Sequence, residues 1–404
     1  MISVQEAKDK IVKSFAKLPA EDISLDNALG RVLAKPIVAR RTQPPCDLSA
    51  MDGYAVRCQD FAKLPYNLNC VGEAPAGGMF EGTVGPGEAV RIFTGGPIPS
   101  GADAVVLQEN TTITDQFVVI SKKPIPGQYI RRAGLDFTVG VDQILPGRFL
   151  KVRDIGLAAA MNHPWISVSR RPTITILATG DEIVRPGEQL NKNQIVSSNS
   201  IALKAFVENC GAIGINLGIA NDDTSTLDRM IGGAAGSDLL ITTGGISVGE
   251  YDLVRQTLLS KGLQVDFWKV AMRPGKPVMF GQLGPVPVLG LPGNPVSALI
   301  CSLIFVKPII EKLLGFTAVN TEKSYATLAE PLPANDQRQD YLRAKLNTDK
   351  EGSLAVTPFS KQDSSMVSLL ASSDCLIIRA PNAPRAVEGD RVKIMMFPKG
   401  TSAF

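Results

Sequence analysis

The chain has one histidine, and its six cysteines (Cys46, Cys58, Cys70, Cys210, Cys301 and Cys375) are scattered, with no Cys-x-x-Cys pair. A Cys/His zinc centre needs several such ligands at close spacing, so that class is excluded. A single histidine would have to serve every catalytic triad, and no Gly-x-Ser-x-Gly elbow occurs, so Ser-His nucleophilic chemistry finds little support. Neither a Walker Gly-Lys-Ser/Thr loop nor a Gly-x-Gly-x-x-Gly fingerprint is present. Net charge is only +3, from 42 Lys and Arg against 39 Asp and Glu. This gives no clustered basic signal for nucleic acid, and no nucleic-acid partner is expected. Nor is a membrane partner expected: the most apolar run, Val296 to Val306, stops at Lys307, at roughly half the ~20 residues a span needs. That run reads as a buried core helix. The N-terminus reads as a capped helix (Ser3 with Glu6; Val4, Ala7, Ile11 and Phe15 at helical spacing) rather than a signal peptide. With unpaired thiols, the expected setting is cytoplasmic.

What is present is a chain of 404 residues, 44% apolar and 20% charged, long enough for several globular domains. Four textures alternate along it. Residues 1–40 are helical and then extended, and 141–170 look like a return to that section, forming one linking domain. Residues 41–140 are rich in Gly, Pro and short apolar runs, as expected of an inserted β domain. From Arg171 strands and helices alternate, with Thr173 to Ala178, Ile213 to Ile219, Leu239 to Thr243 and Val265 to Val270 as strands. This pattern predicts a parallel α/β domain over 171–318, with ligands beyond the carboxyl ends of the strands. Residues 319–404 return to strands: Leu342, Ala344 and Leu346 alternate with Tyr341, Arg343 and Lys345, which fits a C-terminal β-barrel.

The most informative stretch is Met272 to Leu299, with two Pro-Gly turns: Arg273-Pro274-Gly275-Lys276-Pro277 and Leu291-Pro292-Gly293-Asn294-Pro295. Two cations three residues apart on a turn stiffened by prolines suit an oxyanion clamp. Thr243-Gly244-Gly245-Ile246-Ser247 follows a strand and precedes a helix, which suits a phosphate or, equally, an ordinary tight βα turn. Carboxylates crowd predicted strand ends and turns: Asp52, Asp136, Asp181, Glu182, Asp222, Asp223, Glu250 and Asp252. Their number there suits magnesium with phosphate, although any one of them reads equally as a solvated turn acid or helix cap. Arg343 reads first as surface charge, and His163 as a structural turn residue. Phosphate-directed, metal-assisted electrostatic catalysis suits this inventory.

Taken together, SAMDGYA, RIFTGGPIP, RRAGLD, ATGDE, TTGGISVG, RPGKP and GLPGNPVS occur in an order that resembles the molybdopterin molybdenumtransferases, a family that includes MoeA and the E domain of gephyrin. The resemblance covers nearly the whole chain. It implies an elongated homodimer with its active site between protomers, and a molybdopterin adenylyltransferase as pathway partner. The implied reaction joins molybdate to adenylylated molybdopterin, with magnesium, and releases AMP and the molybdenum cofactor. Carried over by motif, the catalytic positions fall on Asp52, Thr94, Asp136, Glu182, Asp222, Asp252, Lys269 and Lys276. Substrate-binding positions fall on Gly244, Gly245, Ser247, Arg273, Pro292, Pro295, Ser297, Arg343 and Ser364. Magnesium would be held by Asp222 and Asp252 with Asp181. The alternatives are an inactive gephyrin-like scaffold, or a nucleotide-pyrophosphate hydrolase or amidase sharing the α/β domain.

Overall fold

The computed structural model describes residues 1–397 apart from 115–116, 221–222, 246–252, 318–323 and 349–351. The chain divides into two compact units, residues 1–35, 146–152 and 167–404 in one, and 36–145 with 153–166 in the other. All six cysteines are free thiols.

The first unit is built on a six-stranded sheet in the order Ile213–Ala220, Thr173–Thr179, Leu239–Thr243, Val286–Leu291, Met279–Leu283, Gln264–Trp268. The first four strands pair in parallel, and Met279–Leu283 runs antiparallel to its neighbours on both sides, Val286–Leu291 and Gln264–Trp268. The expected parallel sheet therefore gains an antiparallel edge, and the Val265 to Val270 run lies there. The cause is local: only Gly284 and Pro285 separate the strands Met279–Leu283 and Val286–Leu291. Two residues can close a hairpin, whereas a parallel pair needs a crossover of about a dozen or more.

Both faces of the parallel strands are covered, as their near-continuous apolar sequences require. Ile174, Ile176, Leu239, Ile241 and Leu289 enter one core, together with Val4, Ala7 and Ile11 of the helix Val4–Lys13. Leu177, Leu240 and Val288 enter the other, with Leu227, Ile231, Val254 and Leu258. Alternate residues of each strand thus feed opposite cores. The Ser3 hydroxyl accepts from the Glu6 N–H at 3.1 Å, fixing the start of the first helix. The apolar run after Pro295 is helical and buried, as its length suggested. Pro295–Cys301, a π-helical turn Ser302–Val306, and Lys307–Leu314 follow one another without a break. Gly315 ends the run in a left-handed cap at φ 64°.

The same unit carries a closed five-stranded barrel. Its ring is Gln339–Thr348, Leu354–Pro358, Ser324–Leu328, Arg391–Met396, Cys375–Arg379, and back to Gln339–Thr348. Ala344, Val356, Ile377 and Ile394 fill its interior. The opposite face of the Gln339–Thr348 strand is covered too, with Tyr341 belonging to the core of the α/β sheet. Arg343, expected at the surface, is only 1% exposed for that reason.

The second unit is a curled six-stranded sheet in the order Ala104–Leu107, Gly53–Val56, Glu88–Ile92, Tyr66–Ala74, Val118–Ile120, Thr111–Ile113. Tyr54, Val56, Ala89 and Val106 pack on one face; Ala55, Val90, Ile92 and Val105 pack on the other. Gly53 opens its central strand directly after Asp52. A Cβ at that position would stand 1.9 Å from the Val106 carbonyl oxygen. Because backbone cannot yield as a side-chain tip can, Gly53→Ala is expected to lower stability by about 3 kcal/mol or more. Chemical denaturation measures this, and an unchanged midpoint would mean the strand spacing is looser than described.

Candidate functional site

Three of the singled-out motifs converge within the second unit. The Asp52 Oδ1 oxygen accepts both the Thr94 backbone N–H (2.7 Å) and the Thr94 hydroxyl (2.8 Å). The Ser49 hydroxyl donates to the Met51 carbonyl at 2.6 Å, tightening the turn that presents Asp52. Ser49 also receives the Gly95 N–H on its carbonyl (2.9 Å) and gives its own N–H to Gly96 (2.8 Å), which ties the Thr-Gly-Gly turn to the Ser-Ala-Met-Asp turn. Across from these, Ile130–Arg131 pairs antiparallel with Leu48–Ser49, bringing the Arg-Arg-Ala-Gly-Leu-Asp loop alongside. Asp47, which sequence reasoning missed, braces that loop: its carboxylate pairs with Arg132 at 2.5 Å and accepts the Ala133 N–H at 2.9 Å. Asp136 is exposed on the same loop, its N–H held by the Gln43 carbonyl at 3.0 Å.

The Thr94 backbone bond, then its hydroxyl, then the nearby Arg91 charge hold the exposed Asp52 carboxyl below the ordinary carboxylate range. The ionised form is the one stabilised. That contribution is present above the ordinary carboxylate pKa and is lost as pH falls through the lowered one. Thr94→Val removes one donor, so the Asp52 titration is expected to move upward toward an ordinary aspartate. NMR titration of the side-chain carboxyl reads this directly, and an unmoved midpoint would mean that the hydroxyl bond has no influence on Asp52.

In the first unit the strand order places the topological switch between Thr173–Thr179 and Leu239–Thr243, where open α/β sheets form their ligand crevice. Gly180, Asp181 and Glu182 leave the first strand there, and Gly244 and Gly245 leave the second. Both glycines of the pair have positive φ, 90° and 61°. A Cβ on Gly244 would meet the Thr179 carbonyl at 2.4 Å, and one on Gly245 would meet Val254 at 2.3 Å. Backbone therefore packs where side chains cannot. The Thr179 hydroxyl beneath this turn is buried and has no hydrogen-bond partner among the described residues.

Asn199 locks this turn to the second Pro-Gly turn. Its amide donates to the Thr243 hydroxyl (2.8 Å) and to the Gly293 carbonyl (2.7 Å), while Thr243 donates to the Pro292 carbonyl (3.1 Å). Asparagine is a residue type that commonly caps helices, and Asn199 opens the helix Asn199–Asn209. In the structure Ser198 occupies the cap position, and the Asn199 side chain joins two motifs instead. Beyond Pro292 and Pro295, the start of the helix meets the barrel unit's loop: Asn294 donates to the Ser364 hydroxyl (2.7 Å), and the Val296 N–H reaches the Ser364 carbonyl (3.1 Å). Ser297 is buried in the first turn of that helix.

The cations divide in an unforeseen way. Lys276 is exposed between its prolines and makes no ion pair among the described residues. Its carbonyl accepts from both Val270 and Val278, which fixes the backbone that carries it. Gly275 lies against Cys301 of the Pro295–Cys301 helix; a Cβ there would come within 2.4 Å of the sulfur. Lys269 sits at φ 77°, uncommon for a side-chain-bearing residue, with its ammonium 4.2 Å from the centre of the Trp268 ring. Arg343 is the largest fully buried side chain. Its partners are neutral: Nε donates to Gln362 (3.3 Å) and Nη1 to the Met366 carbonyl (3.1 Å). Burial lowers its pKa, and the nearby Asp363 charge offsets this only in part; a buried cation hydrogen-bonded to neutral acceptors is a costly arrangement.

Arg273 departs from the oxyanion clamp expected of it. Its Nε donates to Asp340 at 2.9 Å and its Nη2 to the other Asp340 oxygen. Nη1 reaches Asp336 at 3.3 Å and Nη2 reaches Asn335 at 3.1 Å. Four donor contacts of a five-donor group are thus spent on the protein itself.

Among the acids, Asp223 proves to be a helix cap. It accepts the Thr226 N–H (2.8 Å) and the Ser225 hydroxyl (2.7 Å), and these bonds lower its pKa to about 2. Asp222, Ser247, Glu250 and Asp252 lie outside the described residues. Asp181 and Glu182 are exposed, and Glu182 folds back over Gly180. Two consecutive carboxylates at a strand end are oxygen donors of the kind a hard divalent cation takes, although no group of three or more potential ligands gathers among the described residues. His163 is structural, with its Nε2 2.7 Å from the Val38 carbonyl. No helix among the described residues is long and apolar enough to cross a membrane.

A parallel α/β domain with a glycine turn at its switch point, in a chain that also carries a closed barrel and a separate curled β unit, defines a class that comparison with known proteins makes specific. Residues 2–162 match the MoeA N-terminal region (domains I and II), 175–312 a probable molybdopterin binding domain, and 325–397 the MoeA C-terminal region (domain IV). The molybdopterin molybdenumtransferase of Haemophilus influenzae is 33% identical over 401 residues, covering 98% of this chain and 99% of that protein. That of a Nostoc species is 39% identical over 362 residues, covering 86% and 83%. A crystal structure of a molybdopterin biosynthesis MoeA protein from Pyrococcus horikoshii superposes with a TM-score of 0.85 at 29% identity, covering 99% of this chain and 100% of that one. The chain belongs to the molybdopterin molybdenumtransferase family.

Proposed function

We infer that this chain is a molybdopterin molybdenumtransferase that joins molybdate to adenylylated molybdopterin and releases AMP and the molybdenum cofactor. The observation that carries this reading is the crevice at the sheet's switch point. There the Gly244-Gly245 turn and the Leu-Pro-Gly-Asn-Pro turn are bound to one another through Asn199. Backbone amides at Gly244, Gly245 and Ser247 suit the adenylyl phosphate. Glu182 is exposed at the end of the first strand, and the family motifs assign Asp222 and Asp252 as its acidic companions. Lys276, Arg343, Ser297 and Ser364, with Pro292 and Pro295 shaping the turn, suit the molybdate oxyanion. Lys269, held on Trp268, supplies a further fixed charge.

In this reaction water adds to phosphorus as the phosphoanhydride bond breaks and AMP leaves, and the two dithiolene thiols replace one oxygen on molybdenum, which departs as water with their protons. The protein contributes position and fixed charge: cations offset the oxyanions, and ionised Asp52, steadied by Thr94, positions substrate or water together with Asp136. Magnesium belongs to the proposal through Asp181, Asp222 and Asp252, and it would supply neutralising charge at the phosphate. The proposal further includes a homodimer in which Asp52, Thr94 and Asp136 of one protomer complete the site of its partner. A molybdopterin adenylyltransferase would act upstream. The domain division accompanying it is 1–40 with 141–170, 41–140, 171–318 and 319–404.

A hydrolase or amidase reading would use only the α/β domain, whereas the family match extends through the N- and C-terminal regions. A scaffold reading leaves Lys276 and the Asp52–Thr94 pair without a use. The test is reconstitution: purified protein, adenylylated molybdopterin, molybdate and magnesium are mixed with a cofactor-free molybdoenzyme. Activity is expected to appear only in the complete mixture, and its absence there would overturn the proposal.

A further inference from the structure

We propose that Arg273 is a positioning residue rather than a molybdate ligand, and that Asp340 holds it in that role. This rests on the molybdenumtransferase reading above and departs from the substrate-binding role the family resemblance implies for Arg273. Three observations support it. First, both bidentate edges of the guanidinium are engaged, Nε and Nη2 by Asp340, and Nη1 and Nη2 by Asp336 and Asn335. Second, the cradle is prebuilt. Asp340 is 5% exposed. Asp336 is fixed by Arg338 at 2.7 Å, and Asn335 by the Arg338 and Ala380 carbonyls at 2.8 and 2.9 Å. An anion would have to displace a buried carboxylate from its bidentate partner. Third, the backbone repeats the same attachment. Met272–Arg273 pairs in parallel with Gln339 and Asp340, which begin the barrel strand that carries Arg343 three residues later.

The consequence is geometric. Lys276 lies three residues beyond Arg273 on a turn whose glycine rests on Cys301. Arg343 lies three residues beyond Asp340. The Arg273–Asp340 pair therefore sets the spacing between the exposed ammonium and the buried guanidinium, which are left as the anion's cations. Asp340 acts through Arg273, and Arg273 through the placement of Lys276.

The two roles for Arg273 predict opposite signs. Asp340→Asn keeps the shape of the side chain and removes its charge, which would release the Arg273 fork. If Arg273 binds the anion, molybdate affinity rises. If it positions Lys276, the affinity falls, because small displacements of a positioned charge cost heavily. We expect the molybdate Kd, measured by calorimetry on the intact protein, to rise about tenfold in Asp340→Asn, with the KM for molybdate rising more than kcat falls. Should Asp340→Asn not fold, the exposed Asp336→Asn decides, with a smaller rise of about two- to threefold expected. An unchanged or lowered Kd in the folded variant overturns the proposal. Calorimetry needs no turnover, so a wild type that binds molybdate but releases no AMP would refute the enzymatic reading alone.

Discussion

Replacing Lys276 by alanine is expected to lower molybdate-dependent AMP release by about 10²–10³-fold, the cost of removing one preorganised oxyanion group. The residue's setting supports a large effect. Its backbone is held by Val270 and Val278, its glycine neighbour is pinned on Cys301, and prolines flank it. With its backbone fixed so firmly and no ion pair among the described residues, the lysine has only its side-chain rotamers to order when an anion arrives. Because the side chain is exposed, stability should change little. Steady-state kinetics with molybdate titration measures the effect, and turnover within about twofold of wild type would remove Lys276 from the chemistry.

The second large effect is at Asp52. Asp52→Ala is expected to reduce turnover by about 10²-fold or more, in the range of a positioned acid–base group, while the thermal midpoint falls only slightly, through loss of the Thr94 bonds. The carboxylate is exposed, and its two bonds from Thr94 serve its orientation and ionisation. This variant also tests the shared site. In an equilibrated mixture of Asp52→Ala and Lys276→Ala chains, half the dimers are mixed, and each mixed dimer keeps one intact site. Roughly a quarter of wild-type activity should therefore return. A mixture no more active than its components would place both residues in the same protomer's site.

Much of this architecture is readable from residue pattern because its causes are local. The βα alternation from Thr173 reflects strands buried on both faces, and the period-two pattern over Leu342 to Leu346 reflects a barrel wall. The antiparallel edge was equally local, in the Gly284-Pro285 link, but it depends on loop length rather than apolar pattern. Long-range pairings were not readable. Asp340 is 67 residues from Arg273 and looks like any strand acid; only the fold shows that it occupies the guanidinium. Arg343 sits at a position of the alternation that normally faces water, and the packing of Tyr341's face on the α/β sheet, which no strand pattern encodes, is what buries it. Asn199 shows the same limit, since a residue that can cap a helix can also bridge two distant turns. The short motifs gave the family at once because they are dense and ordered, while the partners that position them are single polar residues scattered elsewhere.

The most direct measurement follows AMP release from adenylylated molybdopterin by the purified wild-type protein, with and without molybdate. The account predicts that molybdate strongly stimulates release and that molybdenum is incorporated in proportion to the AMP formed. AMP release at the same rate with and without molybdate would contradict it.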